Sequence, residues 1–151
     1  MPPPLPPLSS EMLHATAVAI GGMAVIIEGR SGSGKSDLAL RLIDRGAVLI
    51  ADDQTLLIRR GDILVARAPD SITGRIEVRG IGIVAMPHIA DVPVALIVRL
   101  GEEDQRMPER RARRIAGVQV RETTLDPFRA SAPIKVEIAL REASADPGAR
   151  P

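Results

Sequence analysis

Gly29-Arg30-Ser31-Gly32-Ser33-Gly34-Lys35-Ser36 fills every fixed position of the phosphate-binding pattern G-x-x-x-x-G-K-S/T. Before it stands Met23-Ala24-Val25-Ile26-Ile27, an apolar run that reads as a buried strand. After it, Asp37-Leu38-Ala39-Leu40-Arg41-Leu42-Ile43 carries apolar residues at helical spacing. Strand, glycine-rich turn and helix are the setting in which loop N–H groups and the positive end of a helix converge on one phosphate. Lys35 is expected to reach the β- and γ-phosphates, and the Ser36 hydroxyl to hold Mg²⁺. A Gly/Ser-rich turn without a nucleotide is the alternative, and the filled fixed positions argue against it. The stretch predicts a nucleoside triphosphate site on an α/β scaffold.

Composition narrows the rest. A chain of 151 residues suits one domain with its own core. Hydrophobic residues make up 45%, yet Phe128 is the single aromatic, so Ile, Leu, Val, Ala and Met must fill the interior. Without aromatic platforms and with a net charge of +1, the chain is not expected to bind nucleic acid or an anionic membrane. The absence of cysteine excludes disulfides, thiolate metal sites and a thiol nucleophile. Met1-Pro2-Pro3-Pro4-Leu5-Pro6-Pro7-Leu8 lacks the basic start and apolar stretch of a signal peptide, and no segment has the length of a membrane span. A cytoplasmic protein is the expectation.

Residues 1–10 read as a disordered Pro-rich leader, 11–142 as the folded domain and 143–151 as a disordered tail. Apolar runs on either side of Gly21-Gly22 predict a hairpin entering the loop. The helix after Lys35 should end at Asp44-Arg45-Gly46. Val48–Ala51 reads as a short buried strand, and Thr55–Ile58 with Ile63–Ala66 as a second hairpin around Arg59-Arg60-Gly61-Asp62. Arg75–Val84 reads as a strand or loop passing close to something bound, and Val94–Leu100 as a strand. Pro108–Ala116 is predicted to be a short helix closed by Gly117. Ile134–Leu140 fits a strand or a helix. Hairpins beside the loop argue against a doubly wound parallel sheet and predict a mixed, partly antiparallel one.

Four places could carry chemistry. Asp52-Asp53 ends the strand that should lie beside the loop, where a carboxylate can hold Mg²⁺ or accept a proton from an attacking hydroxyl. Paired Asp residues are also ordinary turn residues. Glu77, between apolar neighbours and before glycines, taken alone reads more readily as a solvent-facing strand residue than as a functional one. His14 is isolated, and an isolated His is more often packed or exposed than catalytic. Arg106–Arg114 holds five arginines, a solvated helix face from which one guanidinium could reach a transferring phosphoryl group.

His14, the loop 29–36, Leu49-Ile50-Ala51-Asp52-Asp53 and Glu77-Val78-Arg79-Gly80-Ile81-Gly82-Ile83 resemble, in this order, the catalytic domain of HPr kinase/phosphorylase. The last piece is the family's own signature and is far more specific than a phosphate loop. The resemblance implies a phosphoenolpyruvate-carboxykinase-like fold and ATP-dependent phosphorylation of a serine on the phosphocarrier HPr, regulating carbohydrate metabolism or phosphotransferase signalling. It implies that Lys35 contacts the transferring phosphates and that Ser36 and Glu77 are Mg²⁺ ligands. Asp53 would exchange the serine proton, with His14 beside it, and Arg106 would be the later active-site arginine, with Arg111 as its rival. It also implies a homo-oligomer, hexameric in the family, and the short form lacking the extra N-terminal domain. The family's Pro-Val-x-x-Gly-Arg segment, tied to the reverse phosphorolysis, is replaced by Asp126-Pro127-Phe128-Arg129. A small-molecule kinase and a non-catalytic nucleotide-binding subunit are the competing readings. No aromatic lies near the loop in sequence, so nothing there distinguishes ATP from GTP.

Overall fold

The computed structural model describes residues 9–103 and 110–145. Strands β1 (Ser10–Leu13), β2 (Ala15–Ile20) and β3 (Met23–Glu28) lead into the loop, and helix α1 spans Lys35–Asp44. Then come β4 (Val48–Ala51), β5 (Thr55–Arg60), β6 (Ile63–Arg67), β7 (Arg75–Val78) and β8 (Gly82–Ala85). The chain continues through β9 (Val92–Leu100), β10 (Arg111–Ile115), β11 (Val118–Leu125) and helix α2 (Ala132–Ala145).

Among the described residues, nine strands form one mixed sheet in the order β1-β5-β6-β9-β3-β2-β4, with β11 also on β9 and β10 outside it. β9 is the hinge of this arrangement. Its first residues pair antiparallel with β6 (Val65↔Pro93, Ala66↔Val92), while its later residues run parallel to both β3 and β11. The β1-β5-β6 flap therefore curls over one face of the main sheet, and the two helices cover the other. Alternation along each strand sorts side chains between these layers. Ala24, Ile26 and Ile97 enter the core under the flap, whereas Val25, Ile27, Leu96 and Val98 enter the core under α1 and α2.

Leu38, Ala39 and Leu42 form the apolar stripe of α1 and are wholly buried. Each of the two leucines contributes about 1.5–3 kcal/mol by leaving water. The helix closes through Gly46 N–H donating to Ile43 O and Ala47 N–H to Leu42 O, as the sequence anticipated. α2 buries Ala132, Val136, Leu140 and Ala143 on the same sheet face, and Arg45 ties it to α1 through Glu137 at 2.7 Å. No helix among the described residues is long and apolar enough to cross a membrane.

Both expected hairpins are present, β2–β3 and β5–β6. Three expectations are corrected and one, the strand or loop at 75–84, is refined. Arg111–Ile115 is strand β10, not a helix, because Arg111, Arg113 and Ile115 alternate with Ala112 and Arg114 and Ile115 is buried under the flap. Ala116 and Gly117, both at positive φ, form the β10–β11 turn instead of a helix cap. Arg75–Val84 is a hairpin, β7–β8. Where a tail was expected from residue 143, α2 runs on to Ala145, with Ala143 buried and Ser144 Oγ donating to Leu140 O. Ser9 and Ser10, expected in the leader, belong to the sheet instead: Ser10 pairs with Ile58 and Ser9 O accepts from Arg59 N–H.

Candidate active site

The loop leaves β3 at Glu28 and turns into α1 at Gly34, whose φ of 101° is a left-handed conformation that glycine adopts without strain. No side chain caps this helix start, so its first N–H groups are left for an anion. Lys35 is almost fully buried at 6% exposure, and its ammonium donates to the carbonyls of Gly29 and Arg30 at 2.9 and 3.0 Å. The cation is thus held under the loop by the loop's own backbone. Arg30, Ser31 and Gly32 lie on its exposed rim, and Ser33 Oγ is buried without a hydrogen-bond partner.

Asp52, just past β4, organises what surrounds the loop. Its Oδ1 accepts from Ser36 Oγ at 2.6 Å and from Thr16 Oγ1 at 3.0 Å, while Oδ2 accepts the backbone N–H of Glu77 at 2.8 Å. One carboxylate, 8% exposed, therefore joins the first turn of α1, Thr16 of β2 just beyond the end of the β2–β4 pairing, and β7. A charged acceptor makes such bonds stronger than a neutral one would. Glu77 comes to the site by this backbone bond, on a strand anchored by the buried Ile76, and its own side chain is exposed. Sequence reasoning named Ser36 and Glu77 but gave Asp52 no role of its own. Its place at a strand end beside the loop was the available signal.

Asp53 faces the other way. Its φ of 68° is left-handed, its N–H donates to Thr16 Oγ1, and its carboxylate is 60% exposed. There it meets His14 Nε2 at 3.3 Å, and the same nitrogen lies 3.4 Å from Ser31 Oγ on the loop rim. The structure thus brings His14, Asp53 and the phosphate loop together. Arg106 lies outside the described residues. Arg111 opens β10, in register with Glu122 of β11.

Two further features were not anticipated. At the loop's entry, Arg113 forks onto Glu28 at 2.8 and 3.1 Å. That hydrogen bond holds its guanidinium proton more tightly than usual, against a weaker opposing effect of burial. An aromatic side chain also reaches the loop after all: a methyl group placed on Gly34 would stand 3.6 Å from Pro127 Cβ and 3.7 Å from Phe128 Cε1.

Residues 8–142 match the HPr Serine kinase C-terminal domain. The chain belongs to that family. The HPr kinase/phosphorylase of Alkaliphilus metalliredigens is 37% identical over 127 residues, a match covering 75% of this chain and 41% of that protein. The protein of the same name from Clostridium acetobutylicum is 42% identical over 77 residues, covering 51% of this chain and 25% of its own. This chain therefore spans well under half the length of these curated relatives. The solved Hpr(Ser) kinase/phosphatase from Coxiella burnetii superposes with a TM-score of 0.77 at 28% identity, over 89% of this chain and 96% of that one. The expected fold, an α/β phosphate-loop domain on a mixed sheet, is the one observed.

Proposed function

We propose that this chain transfers the γ-phosphoryl group of ATP, with Mg²⁺, to a serine hydroxyl of an HPr-like phosphocarrier protein. The observation that carries this reading is the division of labour between adjacent carboxylates. Asp52 is buried and saturated by Ser36, Thr16 and Glu77, whereas Asp53 is open to solvent beside His14. A subunit that only binds nucleotide needs the first arrangement. A transferase to a protein hydroxyl also needs an accessible proton acceptor at the loop's rim, and Asp53 is one.

Loop N–H groups and Lys35 bind the phosphates and hold the triphosphate in line for attack. Because the Ser36 proton points at Asp52, the Ser36 oxygen keeps lone pairs for a cation, and Glu77 offers a second hard oxygen donor. The donor chemistry fits Mg²⁺, which when bound neutralises charge on the β- and γ-phosphates. Asp53 accepts the serine proton as the serine oxygen bonds to the γ-phosphorus and the bond to the β,γ-bridging oxygen breaks, leaving ADP. His14 orients Asp53 against the loop. A cytoplasmic location and self-association belong to the same reading, on the family resemblance.

The test is incubation with γ-labelled ATP, Mg²⁺ and purified HPr, followed by phosphoserine analysis. Label on an HPr serine, abolished by Lys35→Ala, supports the reading. ATP turnover with no label on HPr would favour a small-molecule kinase instead.

A further inference from the structure

Phe128 is the chain's only aromatic residue, and it is 79% exposed. It fills no core, yet its position is fixed from several sides. Its N–H donates to Asp126 Oδ1 at 2.9 Å, closing a tight turn after β11. Arg129 Nε lies 3.5 Å from the same carboxylate, and Ala132 N–H donates to Arg129 O as α2 begins. Arg41 of α1 fastens this turn to the phosphate loop's own helix, donating to Pro127 O at 2.5 Å and Arg129 O at 3.5 Å while Asp37 holds its Nε at 3.1 Å. An exposed ring is thus clamped to the helix that would carry the phosphates, against Gly34 of the loop.

We infer that Phe128 is the platform on which the base of the bound nucleoside triphosphate stacks. The inference rests on the nucleotide reading above. A ring whose backbone is fixed next to the phosphate site presents a π-face there, and stacking is the interaction such a face offers any base. The platform reads a base's face and not its edges, so by itself it does not separate ATP from GTP.

The absence of tryptophan elsewhere gives a direct test. Phe128→Trp creates a single fluorophore at the platform, and Phe128→Ala removes the platform from an exposed position. Mg·ATP is expected to quench the Trp variant, whereas inorganic tripolyphosphate, which has no base, leaves its emission unchanged. By calorimetry, Phe128→Ala should bind ATP about 5- to 150-fold more weakly, the range for losing one base–aromatic stack. Its tripolyphosphate affinity should match wild type. If ATP and tripolyphosphate weaken equally, or neither weakens, the platform is overturned while the phosphate loop stands. A wild-type protein that binds neither probe overturns both.

Discussion

Ser36 Oγ donates to Asp52 Oδ1 at 2.6 Å, so the hydroxyl of the phosphate loop and the end of β4 form one hydrogen-bonded unit. Asp52→Asn removes the charge and turns one oxygen into an NH₂ group that cannot accept from Ser36, Thr16 and Glu77 N–H together. An unsatisfied partner at this depth costs about 1–3 kcal/mol. Affinity for Mg·ATP should fall about 10- to 100-fold, as when a group orienting a metal ligand is lost. Denaturant unfolding and Mg·ATP titration check both. Unchanged values would mean that the cluster holds together without Asp52.

Glu77→Gln separates the strand from its side chain. The tie to Asp52 runs through the Glu77 backbone N–H and survives the substitution, so stability should stay near wild type. The Mg²⁺ concentration needed for nucleotide binding should rise, since an amide is a poorer ligand for a hard cation than a carboxylate. Superimposable Mg²⁺ titrations would reduce Glu77 to an exposed strand residue.

What the sequence disclosed follows from range. The loop, α1 with its glycine stop and the two hairpins are set by neighbours within a few residues, and all were legible. Asp52 was legible as one of a pair at a strand end beside the loop but not as the joint of the site, because its bonds reach Thr16 and Glu77, 36 and 25 positions away, which only the sheet assembles. Phe128 escaped for the same reason: it meets Gly34 through a turn that Arg41 fastens from 86 positions away. β10 was misread because Pro108 and Gly117 bracket it as they would a helix, and its arginines hid the alternation that puts Ile115 under the flap. β11, with Arg121-Glu122-Thr123-Thr124 in its middle, has too little apolar character to announce a strand, yet β9 pairs with it from Arg121 to Leu125.

Asp91 clamps the junction where β6 meets β9. Arg67 donates to it at 2.7 and 2.6 Å and holds its carboxyl below the ordinary value of 3.8, with Arg60 adding to the effect. A carboxyl lowered on folding contributes stability above its unfolded value, and that contribution is lost as pH falls through the folded value. Asn tolerates the φ of 58° at this position, so Asp91→Asn removes charge without backbone strain. Wild type should resist urea better than the variant at about neutral pH, and the gap should close as pH falls below the ordinary carboxylate range and the folded carboxyl protonates. A gap independent of pH would assign the effect to hydrogen-bond geometry alone.

Asp53→Asn isolates the proton acceptor for the same structural reason. Asn accepts the left-handed φ of 68°, keeps the backbone donation to Thr16 Oγ1 and leaves a polar group facing His14. Nucleotide affinity should therefore hold while serine phosphorylation drops about 10²- to 10⁴-fold, the range for removing a general base. Asp53→Ala is a weaker experiment, since it adds backbone strain of about 1–3 kcal/mol to the loss of the carboxylate. If Asp53 acted through the cation instead, Asp53→Asn would lower Mg·ATP affinity and rate together. Titration and single-turnover transfer on one preparation separate the two outcomes. Undiminished transfer would leave Asp53 as a turn residue that happens to face His14, and the proposed route for the serine proton would have no acceptor.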